Sequence, residues 1–177
     1  MNTNDVLKRL RFAIRLSDPQ MTEMLKLGGS PIGKDKLDSF FLKEDEEGYA
    51  TCPRVVLEAL LDGMVIKYRG RKEEKPAAES ADWTRPIPPS VPLDNNMILK
   101  KIRIALELKE DDLLAIMRLG DMEPSKNELG ALFRRPGQKN YRECLDQFLR
   151  GFLTGLAKYN LRRSRESVDL GPEVTPT

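Results

Sequence analysis

The chain has 177 residues, 40% of them hydrophobic and 33% charged, with a net charge of +2 and no histidine. That length allows one medium domain or two very small ones, and the near-neutral balance supplies no global field toward nucleic acid or an anionic membrane. The missing imidazole removes the side chain most used for proton transfer at neutral pH and for holding transition metals. Two cysteines make no disulfide framework, no apolar run nears the ~20 residues that cross a bilayer, and Met1 to Arg15 lacks the apolar core of a signal peptide, so a cytoplasmic protein is expected.

The first helix is expected from about Asp5 to Leu16, with Asn4 as its N-cap and Leu7, Leu10 and Ile14 on one face. Lys8 and Arg11 sit one turn apart beside that stripe. Such a row can follow a phosphate backbone, pair with carboxylates, or cover apolar surface with its stems. The second helix opens at Ser17, where Ser17 and Gln20 have capping-box spacing and Pro19 falls in the tolerant first turn. It is expected to stop at Gly28 through a left-handed residue. The turn from Gly28 to Gly33 is longer than that of a helix-turn-helix, and Lys34 and Lys36 are answered by Asp35 and Asp38, so a DNA-reading helix fits poorly.

The third helix carries Leu37, Phe40 and Phe41. An acidic loop follows, with Glu44, Asp45, Glu46 and Glu47 consecutive and therefore without the alternate spacing of a calcium loop. The fourth helix, about Pro53 to Tyr68, turns Val56, Leu57, Leu60, Leu61, Met64 and Val65 inward. Gly63 lies inside it, where glycine costs about 1 kcal/mol against alanine. Close approach of another helix explains it better than a hinge does. Cys52, at the start of this helix, has no histidine to act as its base and reads as a small buried side chain. Tyr49, three residues earlier, is expected to bury its ring.

Residues 71–94 hold five prolines and the single tryptophan, Trp83, and read as an extended linker. Beyond it the chain repeats. A shift of 92 positions aligns 6–67 with 98–159 without a gap and gives fifteen identities, among them Lys8/Lys100, Arg11/Arg103, Gly28/Gly120, Tyr49/Tyr141, Cys52/Cys144 and Gly63/Gly155. Composition alone gives about four. The expected architecture is all-α: two tandem four-helix units, 1–70 and 95–162, related by internal duplication and packed with approximate two-fold symmetry. Residues 163–177 are expected to be a disordered tail. A unit of this size buries too little surface alone, so the two should support each other.

Residues Lys43 to Tyr49 (Lys-Glu-Asp-Glu-Glu-Gly-Tyr) with Cys52 and the run Leu57 to Gly63 form one local signature. Residues Asn140 to Leu149 (Asn-Tyr-Arg-Glu-Cys-Leu-Asp-Gln-Phe-Leu), Asn96, and Leu99 to Arg103 form its counterpart. Together they resemble the YehS-like bacterial family of unknown function, over nearly everything from Asn4 to Tyr159. The resemblance implies a small bacterial cytoplasmic protein with a duplicated unit, and it implies no activity, cofactor or catalytic residue.

Charge separates the twins. Residues 1–70 carry 11 basic and 11 acidic side chains, whereas 95–162 carry 13 and 9, a balance of +4. The acidic loop Glu44 to Glu47 is matched by a basic one with Arg134, Arg135, Lys139 and Arg142. Three readings stand open: both loops are solvated, the loops set a pairing within or between chains, or the basic one holds phosphate. The basic row Lys8, Arg11, Lys100, Lys101 and Arg103 is a further phosphate-binding candidate. No phosphate loop, nucleophile elbow or dinucleotide fingerprint is present, so no cofactor, no metal and no catalytic residue are expected. An enzyme would rest on carboxylates, lysine or tyrosine alone. The sequence therefore points to a non-enzymatic interaction or regulatory protein with a protein partner, with nucleic-acid binding by the second repeat as the rival; a homodimer is compatible with either, and a membrane with neither.

Overall fold

The computed structural model describes residues 1–70 and 93–169, and among these residues it contains eight α-helices and no strand. The first sequence repeat forms α1 (Thr3–Ile14), α2 (Asp18–Leu27), α3 (Lys34–Ser39) and α4 (Arg54–Arg69). The second forms α5 (Asn95–Ala105), α6 (Glu110–Leu119), α7 (Lys126–Ala131) and α8 (Asp146–Asp169). Residues 71–92, with Trp83 and the linker prolines, lie outside the described residues, as do 170–177. No described helix is long and apolar enough to cross a membrane.

The duplication extends to the backbone. Left-handed residues recur at the same shift of 92: Arg15 and Glu107 at φ 53°, Gly29 (86°) and Asp121 (61°), Gly48 (90°) and Asn140 (61°). The capping boxes at Ser17/Gln20 and Ser125/Glu128 form as their spacing requires. Three local expectations are corrected. Asn4 is not the N-cap of α1, because Asn2 takes that role: its side chain accepts from the Asp5 N–H at 2.8 Å. Asn4 is instead buried inside the helix, its amide donating to the carbonyls of Phe40 (3.0 Å) and Ala50 (2.9 Å) and accepting from the Cys52 N–H (2.8 Å). The left-handed residue after α2 is Gly29, since Gly28 itself has φ −80°. Residues 163–169 of the expected tail are helical, because α8 continues to Asp169: Ser164 bonds back to the Asn160 carbonyl, and the Arg163 guanidinium lies over the Tyr159 ring. Residues 156–169 contain no glycine or proline that would interrupt these last turns.

Gly28 and Gly63 explain how α2 meets α4. A methyl group on Gly63 would overlap the Met24 carbonyl, and one on Gly28 would overlap the Ala59 carbonyl. The two helices cross backbone to backbone, with Met21, Met24, Leu25, Leu60, Leu61 and Met64 fully enclosed. In the second repeat Gly120 meets Gly151, and Gly155 meets Ile116. The mid-helix glycines thus serve close packing.

The compact units do not coincide with the sequence repeats. One comprises Met1–Leu7 with Leu16–Leu108, and the other Lys8–Arg15 with Lys109–Thr177. In the first, α5 of the second repeat packs on α4, and Arg54 of α4 donates to the Leu93 carbonyl at 3.2 Å. The last two residues of the expected linker are therefore ordered: Leu93 is buried, and the Asp94 carboxylate caps α5 by accepting from the Met97 N–H at 2.7 Å. In the second unit, α6 packs on α8, and the Asn160 amide holds the Ala13 carbonyl at 2.9 Å. The boundaries expected at 70 and 95 mark the repeats and not the folded bodies, because each body takes helix from both repeats.

Candidate functional site

The α3–α4 and α7–α8 loops share one hydrogen-bond template. In the first, Glu46 N–H donates to the Lys43 carbonyl, Tyr49 N–H to the Glu46 carbonyl and Ala50 N–H to the Ser39 carbonyl. In the second, Gln138, Tyr141 and Arg142 repeat these bonds to Arg135, Gln138 and Ala131. The turn is closed by a side chain in both cases: Lys43 N–H donates to Glu46 Oε2, and Arg135 N–H donates to Gln138 Oε1. An acid and its amide do the same structural work. The backbone therefore needs one acceptor at that position, not the other carboxylates of Glu44, Asp45 and Glu47, all of which are exposed.

Arg134 and Arg142 line one cleft of about 500 Å³ with Glu128, Ala131, Asn140 and Tyr141. Arg134 leaves α7 half-buried, and its guanidinium donates to the Asn140 carbonyl at 2.9 Å. Arg142 bonds the Glu128 carboxylate at 2.9 Å. The Ser125 backbone N–H, then Arg142 and the Ser125 hydroxyl, hold the Glu128 carboxyl below its ordinary range, so it stays ionised. Arg135 and Lys139 are exposed on the loop outside this lining.

The basic row is divided between the two compact units. Lys8 and Arg11 belong to the second compact unit, whereas Lys100, Lys101 and Arg103 belong to the first. Lys101 is corrected outright. It is buried, and its ammonium reaches Asp62 at 2.5 Å and Glu58 at 3.3 Å, so two carboxylates already answer its charge. Arg103 turns its Nε to the Leu108 carbonyl at 3.3 Å.

Both cysteines are buried, and burial pushes the Cys52 thiol up to about 11, against the reactive reading of a helix-terminal thiolate. Tyr49 and Tyr141 are half-buried. Among the described residues no group of three His, Cys, Asp or Glu side chains could hold a metal.

Sequence reasoning passed over two features. One is Arg118, which lines a second cleft beside the first; it stands in the last turn of α6, where a basic residue is ordinary. The other is the buried Asn4 network, which was signalled by the identity Asn4/Asn96 just before the aligned window.

Residues 3–70 and 95–162 each match the protein family of unknown function DUF1456. The uncharacterized protein YehS of Escherichia coli (strain K12) is 40% identical over 157 residues, which cover 89% of this chain and 95% of YehS. No solved structure matches the chain.

Proposed function

Since the chain belongs to the DUF1456 family, whose unit it carries twice, we propose that it is a non-enzymatic cytoplasmic interaction protein that recognises a protein partner through the α7–α8 loop. One observation carries this reading: the same loop template bears opposite charges in the two repeats. Four adjacent carboxylates repel one another, as do clustered arginines, and the loop backbone uses Glu46 and Arg134 rather than either whole set. The charge pattern is then a property of what the loops meet.

The test is a loop graft. Replacing Arg135, Pro136, Gln138 and Lys139 by Lys, Glu, Glu and Glu, the residues at 43, 44, 46 and 47, with the left-handed Gly137 kept, retains the side-chain acceptor that closes the turn and reverses the charge. Full-length protein and graft are compared as affinity baits in nuclease-treated and untreated cell extract. Protein partners that survive nuclease and are lost with the graft support the reading. An identical set of captured proteins for both baits, or capture abolished by nuclease, removes it.

Nucleic-acid binding is favoured by one observation, the +4 balance of residues 95–162. With Lys101 buried against Glu58 and Asp62, which lie outside residues 95–162, the cationic surface is smaller than the sequence count. Phosphate binding would weaken steeply between low and physiological salt, so retardation of RNA or DNA at low salt separates the two readings.

A further inference from the structure

A cationic stripe runs along α8. Arg150, Lys158, Arg162 and Arg165 are exposed, and helical spacing puts them within about 120° of one face, over about 22 Å. Residues 150–165 contain no carboxylate. Residues 6–17 contain none either, and the end of α1 is held to α8 there by the Asn160 amide on the Ala13 carbonyl at 2.9 Å. That part of α1 adds Arg9, Arg15 and the ring of Phe12, which is 77% exposed. All of these residues belong to the second compact unit. Three nearby groups bear on the stripe. Lys158 has a distant partner in Asp121 at 3.9 Å, Arg163 turns over the Tyr159 ring, and Asp146 stands one turn before Arg150. Arg9, Arg15, Arg150, Arg162 and Arg165 have no carboxylate partner among the described residues.

The first repeat carries the same position with its charge answered. Under the shift of 92, Arg9 takes the place of Lys101, while Arg150 and Thr154 take the places of Glu58 and Asp62. Lys101 is buried with its ammonium on both of those carboxylates. In the second unit one acid has become a further cation. The other has become a hydroxyl, which bonds its own helix at the Arg150 carbonyl. Arg15 likewise stands where Glu107 does. The scaffold is satisfied by a neutralised version of this face. The second unit keeps the cations and lacks the acids, which leaves them to an anion from outside.

Spacing and lining select that anion. Charges spread over about 22 Å outreach a compact phosphate or carboxylate and match a polyanion lying along the helix. The apolar stripe of α1, with Leu7, Leu10 and Ala13, is buried in the core, so Phe12 and Leu161 alone offer little to a bilayer. Phe12 lies one turn from Arg9 on α1, which sets an exposed ring beside the cations. The bases of an unpaired strand stack on such rings, whereas those of a duplex are already stacked. We propose that this face binds a single-stranded nucleic acid, with Arg9, Arg150, Arg162 and Arg165 on its phosphates and Phe12 against a base. The face lies on α1 and α8, apart from the α7–α8 loop, and the inference stands whatever that loop binds.

The experiment titrates the full chain into dye-labelled RNA and DNA single strands of about twenty nucleotides and into the DNA as a duplex, with anisotropy read at several salt concentrations. At least one single strand should bind about tenfold or more tighter than the duplex, with a log–log salt dependence of about 3, as four phosphate contacts require. Arg150→Glu with Thr154→Asp installs acids at the positions of Glu58 and Asp62 and so gives Arg9 the partners that Lys101 has. This variant should keep its thermal melt, bind at least about tenfold more weakly and lose about 1 to 2 of the salt slope. Arg162→Glu, at an exposed site away from Ala13, repeats the readout if the melt changes. Phe12→Ala should weaken binding about tenfold with the slope unchanged. Arg135→Glu with Lys139→Gln removes the same net charge from the α7–α8 loop and should weaken binding much less. No strand binding at low salt, indifference to both the stripe and the Phe12 variants, or equal binding of duplex and strand overturns the proposal. So does binding lost with the loop variant and kept with Arg150→Glu and Thr154→Asp, which moves phosphate recognition to the loop. Capture by phosphatidylserine vesicles without strand binding overturns it too, and makes the face a membrane surface.

Discussion

Replacing Gly63 by alanine separates two accounts of a glycine inside a helix by the sign of the effect. On helix propensity alone, alanine gains about 1 kcal/mol. A hinge glycine would show that gain. In α4, however, the new methyl group would overlap the carbonyl oxygen, carbonyl carbon and Cα of Met24, all of them backbone atoms that cannot rotate away. Overpacking a core costs about 1–3 kcal/mol, and an obstacle made of backbone belongs at the upper end or beyond, because α2 as a whole must shift. That shift loosens Met21, Met24, Leu60 and Met64, which are fully buried. Subtracting the propensity gain leaves a net loss of about 2 kcal/mol, or about 1 M in the urea midpoint for a typical slope. Gly130 in α7 is the internal control, since a methyl group there meets nothing within 4 Å. Gly130→Ala should gain about 0.5–1 kcal/mol. Urea unfolding followed by far-UV circular dichroism measures all three proteins. If Gly63→Ala is as stable as wild type or more so, the close crossing of α2 and α4 is refuted.

Lys101→Met should cost about 1–3 kcal/mol by leaving Glu58 and Asp62 without their cation, the lower range because both carboxylates retain some exposure. Adding Glu58→Gln and Asp62→Asn should recover most of the loss in the same urea titration. Asp112 accepts from the Lys109 N–H at 2.9 Å and the Tyr159 hydroxyl at 2.8 Å, which hold its carboxyl below the usual range. A depressed folded pKa contributes stability above the unfolded value of about 3.9 and loses it as pH falls through the folded value. The stability gap between wild type and Asp112→Asn should therefore be widest near neutrality and close below about pH 4 in a pH series of thermal melts. Cys52, its thiol pushed up to about 11 by burial, should resist a thiol-specific disulfide reagent at neutral pH until the chain is unfolded, and fast native labelling would contradict that burial.

What the sequence disclosed follows from what is local. The capping box at Ser17 and Gln20, the fourth helix, and the role of Gly63 depend on neighbours in the chain or on an apolar period, and all three were legible. The twin loops were visible as charge, but their identical hydrogen bonding was not, because Glu46 and Gln138 differ in charge while sharing the acceptor that closes the turn. Lys101 misled for the opposite reason. It sits in a cationic row in sequence, and only the α4–α5 packing brings Glu58 and Asp62 to it from about forty residues away. Asn4 misled because an asparagine near a helix start ordinarily caps it, and its partners Phe40, Ala50 and Cys52 are equally remote. The cleft arginines gave a signal only as part of a basic loop. Arg134 was distinguished from Arg135 by orientation, which adjacent identical residues cannot announce.

The exchange of helices between repeats makes a further demand on the chain. The first compact unit contains α5, which brings Ile98, Leu99 and Ile102 into burial and closes the Lys101 ion cluster against α4. Burying three such side chains is worth about 5–9 kcal/mol, which is as large as the whole stability of many domains, about 5–15 kcal/mol. A half ending near residue 80 keeps every helix of the first sequence repeat and loses α5, while the complementary half loses the Lys8–Arg15 segment that belongs to the second unit. Each half alone should show reduced helix content and no cooperative melt, and an equimolar mixture should regain both, at a midpoint that rises with concentration. If the first half melts cooperatively by itself with full helix content, the sequence repeat is the folding unit after all, and α5 only decorates α4.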